Sequence, residues 1–189
     1  MIAALGTKKQ LNLKNNVYVF EAYLRNWPRG RKAKDIYSRL FNTYLTLRQY
    51  KNAKSVLDKY TKNYPKNYKI QEAMIANLMD IDRKNKDNVK IRAWISAIDA
   101  GKYKVSGKYK LKLRELLTTI QIEDVQLQLS KGNKKIALVG YHKIIEDKYS
   151  TKRSKINAKY NLAALYYELN DTDKASSWAH SALDEMDSR

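Results

Sequence analysis

The sequence predicts an all-α fold laid out as a stack of antiparallel helix pairs. Three observations carry that prediction. The 189 residues include only 6 Gly and 2 Pro, too few to punctuate long irregular segments, so helix is favoured. Apolar residues recur at spacings of three and four, in stripes that pair around short polar turns. The last such pair has counterparts upstream: Ala175 follows Ala137 by 38 residues, and Ala137 follows Ala53 by 84, room for two units. About five pairs fit the length, the first incomplete, at approximately 1–30, 31–66, 67–101, 108–150 and 152–187.

In residues 1–30, Phe20, Tyr23 and Pro28 read as the end of a unit, since Pro28 precedes Pro65 by 37 residues. Its first helix would run only from Ile2 to about Lys8, which hints at a piece cut from a longer protein. The unit 31–66 carries Tyr37, Leu40, Phe41 and Tyr44, then Gln49-Tyr50 as a turn, then Ala53, Leu57 and Tyr60. In 67–101 the first stripe is Ile70, Met74, Ile75, Leu78 and Ile81. An enlarged turn from Asp82 to Asn88 follows, then a second stripe of Val89, Ala93, Trp94, Ala97 and Ile98.

Residues 102–113 alternate like a β-hairpin around Ser106-Gly107. The same stretch also opens a helix with Tyr109, Leu113, Leu116, Leu117 and Ile120 on one side. A loop leading into one long helix, about 108 to 131, is preferred because the residues that follow are clearly helical. Val125, Gln128, Gly132-Asn133, Ala137, Tyr141 and Ile144 complete that unit. In 152–187 the first helix is expected to bury Tyr160, Ala163, Ala164, Tyr166 and Tyr167. Asp171 caps the second, whose inner stripe is Ala175, Trp178, Ala179 and Ala182.

The order Tyr160, Leu162-Ala163, Tyr166, Asn170-Asp171, Ala175, Ala179, Ala182 resembles the tetratricopeptide repeat, a helix–turn–helix unit with a period of about 34 residues. Tyr37 to Pro65 matches at the same offsets, with Phe41 where the pattern has a small residue. The copy around Gly132 departs from it at Asp124, where the pattern has Leu. The resemblance implies one right-handed superhelical α-solenoid domain over 1–189, a non-enzymatic scaffold that holds a peptide or helix in a concave groove. By the same resemblance the groove is lined by Ser38, Asn42 and Leu45 from one first helix, and by Ile122, Gln126 and Leu129 from another. Asn157, Tyr160, Asn161, Ala164 and Tyr167 follow from the last. Asn42 and Asn161 fall where some members place amides that hold a peptide backbone.

Net charge is +19, with 38 Lys and Arg against 19 Asp and Glu, a field that attracts polyanions. Residues 165–189 reverse it, with six acids against two bases. An acidic protein or peptide partner follows as the first expectation. An RNA-binding helical repeat is the alternative, using basic runs such as Lys102, Lys104, Lys108, Lys110, Lys112 and Arg114, with Tyr103 and Tyr109, which have no repeat role, as the candidates for contact. Self-association, acidic C-terminal hairpin to basic body, is the third. Lys outnumbers Arg 28 to 10, which weighs against bidentate phosphate and base contacts.

For catalysis the residues offer little. There is no Cys, so thiolate chemistry and disulfides are excluded. His142 and His180 each precede an acid by four residues, Glu146 and Asp184, but neither has a nucleophile or third ligand beside it. Tyr37, Tyr44, Tyr60, Tyr141, Tyr160 and Tyr166 read as packing residues. No cofactor motif is present, no run is long enough to span a membrane, and the opening Met1-Ile2-Ala3-Ala4-Leu5-Gly6 lacks the basic lead-in of a signal peptide.

Overall fold

The computed structural model describes the backbone of residues 2–148 and 150–187, and within them the side chains from residue 11 onward. Arg189 of the acidic segment lies outside the described residues. Every regular element among them is a helix: α1 (Ile2–Asn26), α2 (Ala33–Thr46), α3 (Tyr50–Asn63), α4 (Tyr68–Lys84), α5 (Asn88–Asp99), α6 (Gly107–Ser130), α7 (Lys134–Glu146), α8 (Lys152–Glu168) and α9 (Thr172–Asp187). The chain folds into two compact bodies, one running to Gly107 and the other starting at Lys108.

One turn, used repeatedly, makes the hairpins. Leu47-Arg48-Gln49, Asn85-Lys86-Asp87, Lys131-Gly132-Asn133 and Leu169-Asn170-Asp171 each join two helices. The middle residue takes left-handed backbone, with φ of 57° at Arg48, 54° at Lys86, 78° at Gly132 and 61° at Asn170. The N–H of the third residue then reaches back to close the first helix: Gln49 to the Tyr44 carbonyl at 2.8 Å, Asp87 to Asp82 at 2.9 Å, Asn133 to Gln128 at 2.9 Å, Asp171 to Tyr166 at 3.0 Å. This is the Schellman closure, which satisfies carbonyls that a helix end leaves unpaired. The carbonyl of that third residue next accepts from the fourth residue of the following helix, namely Ala53, Ile91, Ala137 or Ala175. One residue therefore ends one helix and starts the next, so the two must run back to back. The array of hairpins is tetratricopeptide-like, as expected.

In the first body α1 packs on α2, α2 on α3, α3 on α4 and α4 on α5. α1 stands where the second helix of a preceding unit belongs, but it is one continuous 25-residue helix. The expected break after Lys8 does not occur, because no helix breaker lies between Lys8 and Asn26 and the first Pro comes only at 28. Tyr37, Tyr60 and Tyr64 pack edge to face or tilted, with ring centroids 5.1–6.2 Å apart.

The unit 67–101 differs from expectation. α4 continues to Lys84 and its turn is no larger than the others. Asp82 is buried, its carboxylate accepting the indole N–H of Trp94 at 3.0 Å, so a residue that reads as turn is core. The second stripe is Ile91, Trp94, Ile95 and Ile98. Val89 is 78% exposed, and Ala93 is exposed too. The register follows the turn, which aligns Ile91 with Ala53, Ala137 and Ala175. The extra residues lie instead after α5, in the loop from Ala100 to Ser106. Among the described residues there is no strand, so the β-hairpin alternative for 102–113 is not adopted.

In the second body Val125, Ala137, Tyr141, Ile144, Ala158, Leu162 and Leu165 make the core, with Trp178 and Tyr166 packed against it. The α8 stripe is thus Ala158, Leu162 and Leu165. The expected burial of Tyr160, Ala164 and Tyr167 is corrected: all three are exposed. Ring size suggests the tyrosines as the buried side, but small and aliphatic residues make the close approach and leave Tyr160 and Tyr167 on the opposite side.

Candidate partner-binding site

Two kinds of surface emerge, on opposite sides of the first helices. One is the first-helix face singled out in the sequence. Measured back from the left-handed residue of each turn, Ser38, Ile122 and Tyr160 share one register position. Asn42, Gln126 and Ala164 share a second, and Leu45, Leu129 and Tyr167 a third. All nine are exposed or half-buried. In the first body α2 holds Ser38, Asn42 and Leu45. In the second body α6 holds Ile122 and Gln126, and α8 holds Asn157, Tyr160, Asn161, Ala164 and Tyr167. Tyr160 and Tyr167 are 69% and 70% exposed, two turns apart on one stripe of α8. The Asn161 amide donates to the Asn157 carbonyl at 2.7 Å and to its side-chain oxygen at 2.5 Å. The Asn42 side chain is exposed.

The other kind of surface is a cleft between successive second helices, floored by the first helix between them. Sequence reasoning missed these clefts, because each is lined from three separate segments. The cleft between α1 and α3 holds about 490 Å³ and is lined by Glu21, Leu24 and Arg25 of α1, Tyr37, Leu40 and Tyr44 of α2, and a row along α3. Tyr44 donates to Glu21 at 2.5 Å, and the Asn63 amide donates to the Tyr37 hydroxyl at 2.9 Å. Burial, with the Glu21 carboxylate beside it, pushes the Tyr44 phenol well above its usual value, so it stays a donor.

The cleft between α3 and α5 is larger, about 600 Å³, and more apolar, with Leu78, Ile81, Trp94 and Tyr103 in its lining. Tyr103 was expected to face a ligand. It is only 2% exposed, tilted against Trp94 with centroids 5.5 Å apart, and donates to Asp58 at 2.5 Å. Its role is to staple the long loop onto α3. Lys54 and Lys102 lie 3.2 and 3.5 Å from the same Asp58. Burial opposes ionisation of Asp58, but the Tyr103 hydroxyl and the two ammonium groups outweigh it and hold the carboxyl below its usual value.

Of the basic run, Lys102 and Lys104 sit in the loop of the first body, and Lys108, Lys110, Lys112 and Arg114 on α6 of the second. Helical geometry divides the α6 set: Lys108 and Lys112 share one side, Lys110 and Arg114 another. The two histidines do not form the pairs their spacing allows. The ring of His142 meets Trp178 edge-on at 5.2 Å, and Nδ1 of His180 lies 2.8 Å from the Ser176 carbonyl. Among the described residues no group of three His, Asp or Glu side chains could hold a metal ion, and no helix is long and apolar enough to cross a membrane.

Fold and surfaces together define a tetratricopeptide-like array of helical hairpins, a class commonly used as a protein-interaction scaffold. No protein-family model matches the chain, and no curated protein does. It is similar to a crystal structure of nearly identical TPR-like repeats from a Podosopora anserina protein described as a kinesin light chain. That similarity covers 96% of this chain and 91% of the other, at 14% identity and a TM-score of 0.34. A superposition that loose adds nothing to what the helix order and the turns already say.

Proposed function

We propose that the protein is a non-enzymatic scaffold that binds an acidic peptide or helix on the first-helix face. The supporting observation is the exposed stripe on α8, where Asn157, Tyr160, Ala164 and Tyr167 set two large rings and an amide in solvent. Rings of that size dominate binding energy when a partner covers them. The basic balance of the chain would select an acidic partner and speed encounter. Burial of Tyr103 removes one of the two tyrosines that an RNA-stacking surface needed, which favours the protein reading over nucleic acid.

A pull-down with this chain, read by mass spectrometry, supplies the partner for the test. Tyr160→Ala should then weaken binding by about 2 kcal/mol, roughly thirtyfold. Asn42→Ala should weaken it less. Neither should alter the helix content. Unchanged affinity in both variants would sink the groove while leaving the fold intact.

A further inference from the structure

The two clefts of the first body share an architecture but differ in how their cations are occupied. In the α3–α5 cleft three of the four cations are tied, Lys54 and Lys102 to Asp58 and Lys90 to Asp87 at 2.6 Å, and Lys51 alone has no ion pair among the described residues. In the α1–α3 cleft the cations are Arg25, Lys59 and Lys62. All three are exposed, and among the described residues none of them is in an ion pair. Glu21, the acid in that lining, is already engaged by the Tyr44 hydroxyl. Three free cations therefore converge on a cleft whose own carboxylate is partly spoken for.

Its shape narrows the ligand. Asn52, Ser55, Lys59 and Lys62 follow one another at three and four residues, so they form one line along α3. Ten residues of helix give that line a length of about 15 Å. An extended chain rises about 3.3 Å per residue, so about four or five residues match it. Beneath the line the floor is Leu40 with Tyr37 and Tyr44 of α2, flanked by Leu24 and Val56, with Pro28 at one end. Side chains of an extended peptide alternate sides, so acidic and aliphatic residues in alternation would meet the cationic rim and the apolar floor together.

We propose that the cleft between α1 and α3 is a second binding site, which takes a short extended segment of a protein partner with alternating acidic and aliphatic residues. This rests on the scaffold reading and its acidic partner. It moves recognition of the charge from the first-helix face to the opposite side of α2.

The test uses the full chain and a labelled, end-capped Glu-Leu-Glu-Leu-Glu peptide, read by fluorescence anisotropy at low salt. Wild type binds it. K59Q/K62Q lowers the affinity at least about tenfold and R25Q weakens it too, as expected for loss of charged contacts. Glu21→Gln, which keeps an acceptor for Tyr44, strengthens it. Lys84→Gln, which removes one exposed cation outside the cleft lining, leaves it unchanged, and the groove variants Asn42→Ala and Tyr160→Ala are measured beside it. The substituted side chains of the cleft are exposed, so a melting curve like that of wild type accompanies each loss. If the groove variants lose binding and the cleft variants do not, the cleft is overturned and the scaffold reading stands. Absence of binding by wild type overturns the cleft as well. So does an oligouridylate of equal charge that displaces the peptide and binds more tightly, because the site would then be one for phosphates.

Discussion

Gly140 offers a direct test of how the third hairpin is packed. A Cβ built on it would lie 2.3 Å from Cγ2 of Val125, inside any real contact distance. Val125 occupies the register position held by Ala163 in the last hairpin, and opposite Ala163 the chain places Trp178 where Val125 faces Gly140. The pair thus keeps its volume by exchanging large for small. Gly140→Ala forces the two helices apart or Val125 off its rotamer, which costs about 1–3 kcal/mol. The same change on an exposed helix would gain up to about 1 kcal/mol from helix propensity, so the sign of the effect is diagnostic. Val125→Ala alone should cost about 2 kcal/mol by removing buried carbon and leaving a void. With Val125→Ala in place, Gly140→Ala should instead stabilise, because its methyl enters space that the valine has left. Urea unfolding followed by circular dichroism gives all four corners of the cycle. For a body of about 80 residues each kcal/mol also moves Tm by about 4–8 °C. If Gly140→Ala has the same effect with and without Val125, the close contact is not real and the packing argument fails.

Two further predictions follow from charge and backbone. Asp58→Asn should destabilise at neutral pH, and the gap to wild type should narrow as pH falls below the usual carboxylate value of 3.8. The sign follows because the folded-state pKa is depressed: the stabilisation is complete above the unfolded value and is lost as pH falls through the folded one. Denaturation midpoints at pH 7 and pH 3 measure it, and a gap that stays constant refutes the assignment. Arg48→Gly and Lys86→Gly should each stabilise by about 0.5–1 kcal/mol, since both residues are exposed and hold a left-handed φ that costs a side chain energy. Equal or lower midpoints in urea would show that the turns are not closed as described.

How much was legible in the sequence depended on which residue sat at the turn. Gly132 and Asn170 are residues that adopt left-handed backbone readily, and the hairpins they mark were read with the correct turns. Lys86 carries no such signal, so the sequence suggests an enlarged turn and a stripe that takes in Val89 and Ala93 instead of Ile91 and Ile95, while Trp94 and Ile98 are legible and buried as expected. Once the turn is placed, Ile91 falls on the Ala position without further argument. Tyr103 and Asp82 were misread for another reason. Their burial depends on partners 45 and 12 residues away, Asp58 and Trp94, and no local pattern carries that. Tyr160 and Tyr167 of α8 lie on the other side from the one their ring size suggests, because small residues permit the close approach, while Tyr166 packs against the core as expected.

Charge shows most plainly why composition alone could not find a site. The first body carries 23 Lys and Arg against 8 Asp and Glu, so a cationic surface of some kind was certain from the sequence. Which cations are available was not. Lys54 lies eight residues before Lys62 on the same helix, yet Lys54 is tied to Asp58 while Lys62 has no ion-pair partner among the described residues. A tied cation offers a partner little, since a new carboxylate must first displace the one already there. A free cation over an apolar floor offers both attraction and desolvated contact. Selectivity for an acidic segment would then reside in three side chains out of 38 Lys and Arg, and removing two of them should cost far more affinity than their share of the net charge.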